Sequence, residues 1–364
     1  MTEPSQLPAD GAPPETRLVS AVALSDDELE QLGAELGAKP FQVRQIRHWI
    51  FERGAKSWDE CHNLPKVLRE QLKARLPVRQ STIETIDDSD DGTRKLLLRL
   101  GDDESVETVI IPEGDRLTLC VSSQVGCPVA CIFCASGLDG VRRNLRRGEI
   151  LEQFLHARDL LAEADLGQTK ARFSNVVVMG LGEPMLNLRE LNPALSRLTD
   201  PDGIGLGARR VTVSTSGHPV RMREFAGTDR HYGLAVSLHA ADDGLRKKLV
   251  PTAKASVQEI VDAAQSYGAK HNREVTFEVV LLDGINDDSR AADALIERLR
   301  DLRCTVNLIP WNPVDRIEDL ARPRDDRVDA FAERLRHGRV NVTVRRQRGA
   351  DRSAACGQLR LRSL

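Results

Sequence analysis

The chain has 364 residues and a formal net charge of −3, with 40% hydrophobic and 29% charged residues. This length exceeds that of a typical single domain, so we expect one large α/β domain and a smaller appendage. The sequence has neither an apolar run of roughly 20 residues nor a signal-peptide pattern, which excludes a membrane-spanning protein. Its seven cysteines are odd in number and clustered, which favours metal or thiol chemistry in the cytoplasm over a disulfide framework.

The N-terminal part reads as a tail followed by helices. Residues 1–20 are rich in Pro, Glu, Ser and Ala and predict a disordered tail. Residues 22–78 show helical periodicity from the cap Ser25, with stops at Gly54 and Pro77, and predict a small all-helical RNA-binding domain. We expect Phe41 and Trp49 in the core stripe of its second helix. The basic residues of that helix are expected to remain free to bind nucleic acid: Arg44, Arg47, His48 and Arg53.

Strand patterns begin after a short acidic loop at residues 87–91. The segments TRKLLLRL and SVETVIIP predict a strand pair, and later strands are expected near residues 117–123, 174–180, 210–216, 232–239, 274–282 and 305–311. Helical stretches lie between these later strands and imply parallel pairing. We therefore predict a partial (βα)6 barrel over residues 92–348, followed by a C-terminal loop over residues 349–364. In such barrels the chemistry collects at the carboxyl ends of the strands.

A cysteine motif follows the first barrel strand. Cys127, Cys131 and Cys134 form C-x3-C-x2-C. Structural zinc normally takes four ligands, whereas three thiolates on a cubane iron–sulfur cluster leave one iron open for a substrate. The spacing therefore favours a cluster, while zinc binding and three buried core cysteines stay open as alternatives.

The spacing resembles the radical S-adenosylmethionine (SAM) superfamily, and the flanking motifs narrow the likeness. CVSSQVGC, the Met179–Pro184 turn, SLH, PWNP and ACGQL resemble the RlmN/Cfr family of radical-SAM RNA adenine methyltransferases, in particular its RlmN branch, over nearly the whole chain. The resemblance implies a [4Fe–4S] cluster on the three motif cysteines, SAM as cofactor, and an electron donor such as flavodoxin. It also implies methylation of adenine C2 at the peptidyl-transferase centre of 23S rRNA and at tRNA position 37. C8 methylation of the same rRNA adenosine and a non-enzymatic, zinc-bearing RNA-binding protein stay open as alternatives, and nothing in the sequence requires more than a monomer.

The resemblance further implies roles for three residues outside the cluster motif. Cys356 would carry a methyl group taken from one SAM, and a radical from a second SAM would turn that group into a methylene radical that adds to C2. Glu107 would then accept the C2 proton, and Cys120 would attack Cys356 to release the RNA and form a disulfide. From the residues alone, Glu107 fits a solvent-facing acid on an edge-like strand, and Cys120 fits a small buried residue equally well.

For SAM, the resemblance implies contacts from the carboxyl ends of several barrel strands. A carboxylate there can pair with the SAM ammonium, and small residues admit the ligand. The implied residues are Gly182, Glu183, Ser214, Ser237, Leu238, His239 and Asn312. The arginine-rich runs at residues 142–147 and 345–348 can attract RNA phosphates, although a solvated surface explains them as well. Cys61 and Cys304 match no functional position and are expected to be structural.

Overall fold

The computed structural model describes residues 20–163, 172–345, 354 and 357–359. Nearly all of the predicted tail, Cys356 and most of the run at residues 345–348 lie outside the described residues. Within the described ranges, no helix combines the length and apolar character needed to cross a membrane.

Helices form the N-terminal part of the described chain: α1 Asp26–Glu35, α2 Pro40–Arg47, a π-helical turn His48–Arg53 and α3 Lys66–Arg75. Ser25 caps α1 reciprocally, because its hydroxyl accepts a hydrogen bond from the Glu28 N–H and its own N–H donates to the Glu28 carboxylate. The π-helical turn ends at Gly54, whose φ of 72° is the left-handed conformation that glycine adopts without a steric penalty. The capping and stop signals in the sequence thus correctly located these helices.

Strands of two sheets follow. An antiparallel series comes first, with β1 Thr82–Asp88, β2 Arg94–Arg99, β3 Ser105–Glu113 and β4 Arg116–Val121. A separate hairpin comprises β5 Gln124–Gly126 and β6 Val141–Asn144. Parallel strands then continue the main sheet from β4: β7 Asn175–Val178, β8 Val211–Thr215, β9 Gly233–Ser237, β10 Val275–Leu281, β11 Cys304–Pro310 and β12 Asn341–Val344. The six predicted barrel strands are β4 and β7 to β11, and β12 adds a seventh parallel strand.

Helices connect the parallel strands, as the predicted α/β barrel requires. They are α4 Arg147–Glu163, α5 Leu188–Thr199, α6 Pro219–Phe225, α7 Asp243–Leu249, α8 Val257–His271, α9 Ser289–Leu299 and α10 Asp325–His337. Their apolar faces pack on one side of the sheet; α9, for example, buries Leu295 and Leu299. The predicted α/β fold is confirmed, and the opposite face of the sheet is left to line the barrel interior.

The sheet register assigns side chains of β2, β3 and β4 to the two faces. Val109 pairs with both Lys95 and Cys120, and Glu107 pairs with Leu97. Directly opposed residues share a face and successive residues alternate, so Lys95, Glu107 and Cys120 all point into the barrel. Thr108 points the other way, and its hydroxyl donates to Gln153 Oε1 of α4 at 2.7 Å.

Buried polar contacts join the N-terminal helices to the barrel helix α4. Glu152 is 1% exposed, and its carboxylate accepts hydrogen bonds from the hydroxyl of Ser20 at 2.6 Å and from the N–H of Ser81 at 2.7 Å. Arg79 forms an ion pair with Asp159 at 2.7 Å. Burial raises the pKa of Glu152 despite these donors, because an ionised carboxylate loses hydration when it is buried.

Several sequence expectations are wrong in detail. The acidic loop at residues 87–91 begins inside β1, a strand that was not predicted, and the hairpin of β5 and β6 was also missed. The Phe41 side chain is not in the core but 46% exposed. Arg47 is not free, because it forms an ion pair with Asp26 at 2.9 Å, and the Arg53 Nε–H donates to the His48 ring at 3.3 Å.

Candidate active site

A cavity of about 1180 Å³, counting its open mouth, lies at the carboxyl ends of the parallel strands. Its wall includes residues from β3, β4 and the ends of β7 to β11, together with the loop that follows β5. Most of the predicted site residues line it: Cys120, Cys127, Cys131, Cys134, Gly182, Glu183, Ser214, Ser237, His239 and Asn312. The barrel rule applied to the sequence therefore located the correct end of the sheet.

The three motif cysteines lie together on the loop after β5. Burial raises the pKa of the Cys127 thiol to about 12 and that of Cys131 well above its usual value, with further increases from neighbouring thiols and Glu183. The loop is fixed to the barrel, because Trp311 Nε1–H donates to the Phe133 carbonyl at 2.8 Å and the Phe133 ring packs edge-on against His239. The three partly buried thiols therefore lie against an apolar wall. Binding of iron there would displace their protons.

The arrangement of the thiols bears on the zinc alternative. Among the described residues, no three His, Cys, Asp or Glu side chains are grouped around a position for a single metal ion. A cubane cluster distributes its thiolates over separate irons, so its ligands need not converge on one point. By donor number, three cysteines match a cubane cluster with one open iron, whereas a structural zinc site normally takes four ligands.

The turn after β7 presents a buried carboxylate to the cavity. Glu183 is 2% exposed; its Oε1 accepts from the Met185 N–H at 3.0 Å and its Oε2 from the Ser216 N–H at 2.7 Å. Gly182 has φ +108°, and a Cβ there would lie 2.7 Å from the Cβ of Gln124. The two backbone donors orient the carboxylate, and the glycine lets the turn approach β5 closely. Each carboxylate oxygen retains acceptor capacity for a ligand cation such as an ammonium group.

Two polar residues of the CVSSQVGC motif hold this turn in place, although no role was predicted for them. The Ser122 hydroxyl donates to the Glu107 carbonyl at 2.7 Å and accepts from the Leu181 N–H at 2.9 Å. Gln124 Oε1 accepts from the Glu183 N–H at 2.7 Å. Ser122 therefore links the strand that bears Glu107 to the Gly182–Glu183 turn. A polar run directly after a buried strand was the signal that could have identified these residues.

The other predicted SAM residues differ in their side-chain orientation. Ser214, Ser237 and Asn312 line the cavity. His239 also lines it, with φ +64°; its Nδ1 accepts from the Val280 N–H at 3.2 Å, and burial lowers the pKa of its imidazole to about 3. Leu238 is 0% exposed and packs in the main hydrophobic core, so only its backbone can face a ligand.

Glu107 and Cys120 lie on the face of β3 and β4 that is directed at the cavity, although Glu107 is not among the residues that line it. Cys120 is 8% exposed and lines the wall. Glu107 is 1% exposed on a strand between β2 and β4, so the interpretation as a solvent-facing acid on an edge strand is wrong. Lys95 Nζ lies 3.2 Å from Glu107 Oε1, and this ion-pair partner of Glu107 was not predicted from the sequence. It was missed because one face of the β2–β3 pair was assumed to face water.

The C-terminal segment reaches the same cavity. Ala354 and Gly357, which flank Cys356 in sequence, line its wall. The Gly357 carbonyl accepts from the Ala135 N–H at 2.7 Å, next to Cys134, and the Leu359 carbonyl accepts from the Ser136 hydroxyl at 2.7 Å. Cys356 itself lies outside the described residues. Cys61 and Cys304 are buried and do not line the cavity.

The arginine run at residues 142–147 is largely paired within the chain. Arg142 contacts Glu104 at 2.7 Å, Arg143 bridges Asp102 and Glu149, and Arg147 contacts Glu28. This run therefore offers RNA phosphates less free charge than its sequence indicated. A buried arginine outside the run, Arg246, lies near Cys131 and Glu183, and its guanidinium donates to the Ser216 carbonyl.

Comparisons with known proteins agree with this fold and site. Residues 121–295 match the Radical SAM superfamily, and residues 21–78 match the ribosomal RNA large subunit methyltransferase N-terminal domain. A probable dual-specificity RNA methyltransferase RlmN from Rhodopirellula baltica is 42% identical, covering 92% of this chain and 88% of that protein. A protein of the same description from Synechococcus sp. is 43% identical, covering 94% of this chain and 97% of that protein.

A solved structure extends the agreement to three dimensions. The crystal structure of a radical SAM methyltransferase from Sphaerobacter thermophilus superimposes with a TM-score of 0.89 at 41% sequence identity, covering 94% of this chain and 99% of that one. Sequence identity above 40% over nearly the full length and the shared fold leave one assignment. The chain belongs to the RlmN family of radical-SAM RNA methyltransferases.

Proposed function

We propose that this enzyme methylates C2 of adenosine in 23S rRNA, at the peptidyl-transferase centre, and in tRNA, at position 37, through a methyl group carried on Cys356. Each turnover consumes two molecules of SAM. Electron-poor C2, which lies between two ring nitrogens, does not attack the SAM methyl group as an ordinary nucleophile. The reaction therefore needs a radical route, which membership of the radical-SAM family makes available.

One observation carries the proposal. The described neighbours of Cys356, Ala354 and Gly357, line the same cavity as Cys120 and the three motif cysteines. The chain on both sides of Cys356 thus reaches the cavity that Cys120 lines, which supports a methyl carrier and a resolving thiol that act at one site. A simple SAM-dependent transfer would need neither thiol.

The chain's own residues can hold both cofactors. Cys127, Cys131 and Cys134 would ligate a [4Fe–4S] cluster and leave one iron open, and Glu183 would pair with the SAM ammonium. Ser214, Ser237, His239, Asn312 and the backbones of Gly182 and Leu238 would complete the SAM site. When bound, the cluster and SAM supply a one-electron cleavage that yields a 5′-deoxyadenosyl radical.

Glu107 and Cys120 would act on the RNA-linked intermediate. Once the carrier carbon on Cys356 is bonded to C2, the Glu107 carboxylate accepts the C2 proton. The adduct would also give up its unpaired electron, which the bound cluster can accept. The Cys120 thiolate then attacks the Cys356 sulfur; the sulfur–carbon bond breaks with its electron pair on the carbon, which takes up a proton to become the methyl group, and a Cys120–Cys356 disulfide remains. The shared face of β3 and β4 supports this division of roles, because it brings the carboxylate and the thiol to one wall of the site.

We assign RNA binding in part to the N-terminal helices, residues 22–78, as an accessory domain. Phe41 is 46% exposed, and Arg44, one helical turn further on, is exposed and takes part in no ion pair within the described ranges. An exposed aromatic ring beside an arginine can stack on a base and contact a phosphate. Ribosomal and transfer RNA substrates place the enzyme in the cytoplasm.

An electron donor such as flavodoxin would reach the cluster from the outer side of its loop. Ala130 and Ile132 are exposed there, on either side of Cys131 in sequence. Function as a monomer is part of the same proposal.

The thiol roles predict an RNA-linked enzyme in one variant only. Under anaerobic turnover, Cys120→Ala should accumulate protein covalently bound to RNA on a denaturing gel, because no thiol releases it. Cys356→Ala should form no adduct while still cleaving SAM. Cys304→Ala is the matched control, since Cys304 is buried on β11 away from the cavity, and it should behave as the unaltered enzyme. Normal turnover by Cys120→Ala would refute the resolving role.

A further inference from the structure

A buried ion pair lies beside the residues assigned to the chemistry. Lys95 Nζ lies 3.2 Å from Glu107 Oε1, and the two side chains are 2% and 1% exposed. Lys95 Nζ also lies 3.6 Å from Asp87 Oδ2, whose side chain is 35% exposed. The three charges form a row from the barrel interior to the surface.

The sheet register places these charged side chains on the face of the sheet that is directed at the cavity. Lys95 is paired with Val109, which is paired in turn with Cys120, and both Val109 and Cys120 line the cavity wall. Glu107 is two residues before Val109 on the same face of β3. Lys95 therefore contacts Glu107 from the β2 side, while the opposite side of β3 carries Cys120.

Burying a lysine at this position costs free energy, which indicates that its charge has a role. Neighbouring β2 residues are leucines, and Leu96 and Leu98 are 0% exposed. Burying an ammonium and a carboxylate together costs desolvation energy, and apolar replacements of buried pairs are often neutral or stabilising. Packing of β2 therefore does not require Lys95. A carboxylate that must be ionised in a dry site, however, does require a nearby cation.

We propose that Lys95 is a positioning residue that, through its 3.2 Å ion pair, holds the Glu107 carboxylate directed at the C2 proton of the RNA-linked intermediate. This inference rests on the proposed function, which assigns the proton to Glu107. The C2 proton passes to the Glu107 carboxylate, and the electron pair of the C–H bond stays with the adenine ring. The other charged or titratable groups on this face of β1 to β4 are Asp87 and the Cys120 thiol near Lys95, Arg99 at the far end of β2, and Glu113 and Arg116 at the opposite ends of β3 and β4. β5, which packs against β3, carries none.

The test separates formation of the protein–RNA adduct from its resolution in single-turnover reactions of the cluster-loaded enzyme. Lys95→Met removes the charge at similar volume, and Lys95→Gln removes it but keeps a hydrogen-bond donor. Both variants should form the adduct and 5′-deoxyadenosine at the unaltered enzyme's rate. Resolution should slow about 100-fold, the loss expected when a catalytic group is misplaced by about 1 Å.

Two further variants distinguish charge from structure. Lys95→Arg keeps the cation and should restore most of the resolution rate. Asp87→Asn removes the other ion pair of the same lysine and should leave the resolution rate unchanged. The inference would be overturned if Lys95→Met or Lys95→Gln kept both the native melting temperature and the unaltered enzyme's resolution rate. It would also be overturned if Lys95→Arg resolved the adduct no faster than Lys95→Met. If the unaltered enzyme itself forms no adduct and no methylated RNA, the proposed function fails first, and the inference fails with it.

Discussion

Replacing Glu183 by glutamine should weaken SAM binding while leaving the fold intact. Both carboxylate oxygens accept a backbone N–H, from Met185 at 3.0 Å and from Ser216 at 2.7 Å. Glutamine keeps one acceptor but turns an amide donor toward the other N–H, and it removes the charge that would pair with the SAM ammonium. A hydrogen bond to a charged group contributes about 1.5–3 kcal/mol, so SAM affinity should fall roughly 10- to 100-fold.

The assay is equilibrium titration of SAM into anaerobic, cluster-loaded protein. Glu259→Gln provides the matched control, because Glu259 also accepts backbone and hydroxyl hydrogen bonds, in the capping box of α8, yet is exposed and outside the cavity. It should leave SAM affinity unchanged. An unchanged dissociation constant for Glu183→Gln would show that the carboxylate does not hold the SAM ammonium.

The remaining predictions concern the turn geometry and a buried histidine. Gly182→Ala should destabilise the protein by roughly 1–3 kcal/mol and weaken SAM binding, because φ +108° and a Cβ 2.7 Å from Gln124 force the turn to shift; urea unfolding and SAM titration measure both, and native-like values would contradict the geometry. Burial and nearby Arg79 lower the pKa of His156 from 6.5 to about 4, so the unfolded chain takes up a proton before the folded one as pH falls through this window. The free energy of unfolding should therefore decrease between pH 6.5 and pH 4, by on the order of 1–3 kcal/mol, and His156→Gln should reduce that decrease; parallel curves for the two proteins would contradict it.

Much of this fold was predictable because its local signals agree with its tertiary structure. The cap at Ser25 and the periodic segments between the barrel strands fixed the helices, and buried β-branched runs fixed β4 and β7 to β11. β1 was missed because its acidic end, Asp87 and Asp88, reads as a loop, whereas pairing with Lys95 and Arg94 of β2 makes it a strand. Cross-strand charge pairing of this kind is a tertiary contact that a single segment does not reveal.

The sequence identified residues that line one cavity, but not the contacts that support them. Cysteine spacing and the polar ends of the strands identified residues that do line one cavity, including Cys127 and Glu183. The environment of Glu107 was misjudged, because alternation shows that two residues share a face but not whether that face meets water. Ser122 and Lys95 were missed for a related reason, since their roles depend on strands brought together from distant parts of the sequence.

Nucleoside mass spectrometry shows directly whether the enzyme methylates C2 of adenosine and whether it needs Cys356. The cluster-loaded enzyme, SAM and a one-electron reductant are incubated anaerobically with unmodified 23S rRNA and tRNA, and the digested RNA is analysed for methylated adenosines. The unaltered enzyme should produce 2-methyladenosine in both RNAs, and Cys356→Ala should produce none. Finding 8-methyladenosine alone, or methylation that persists without Cys356, would contradict it.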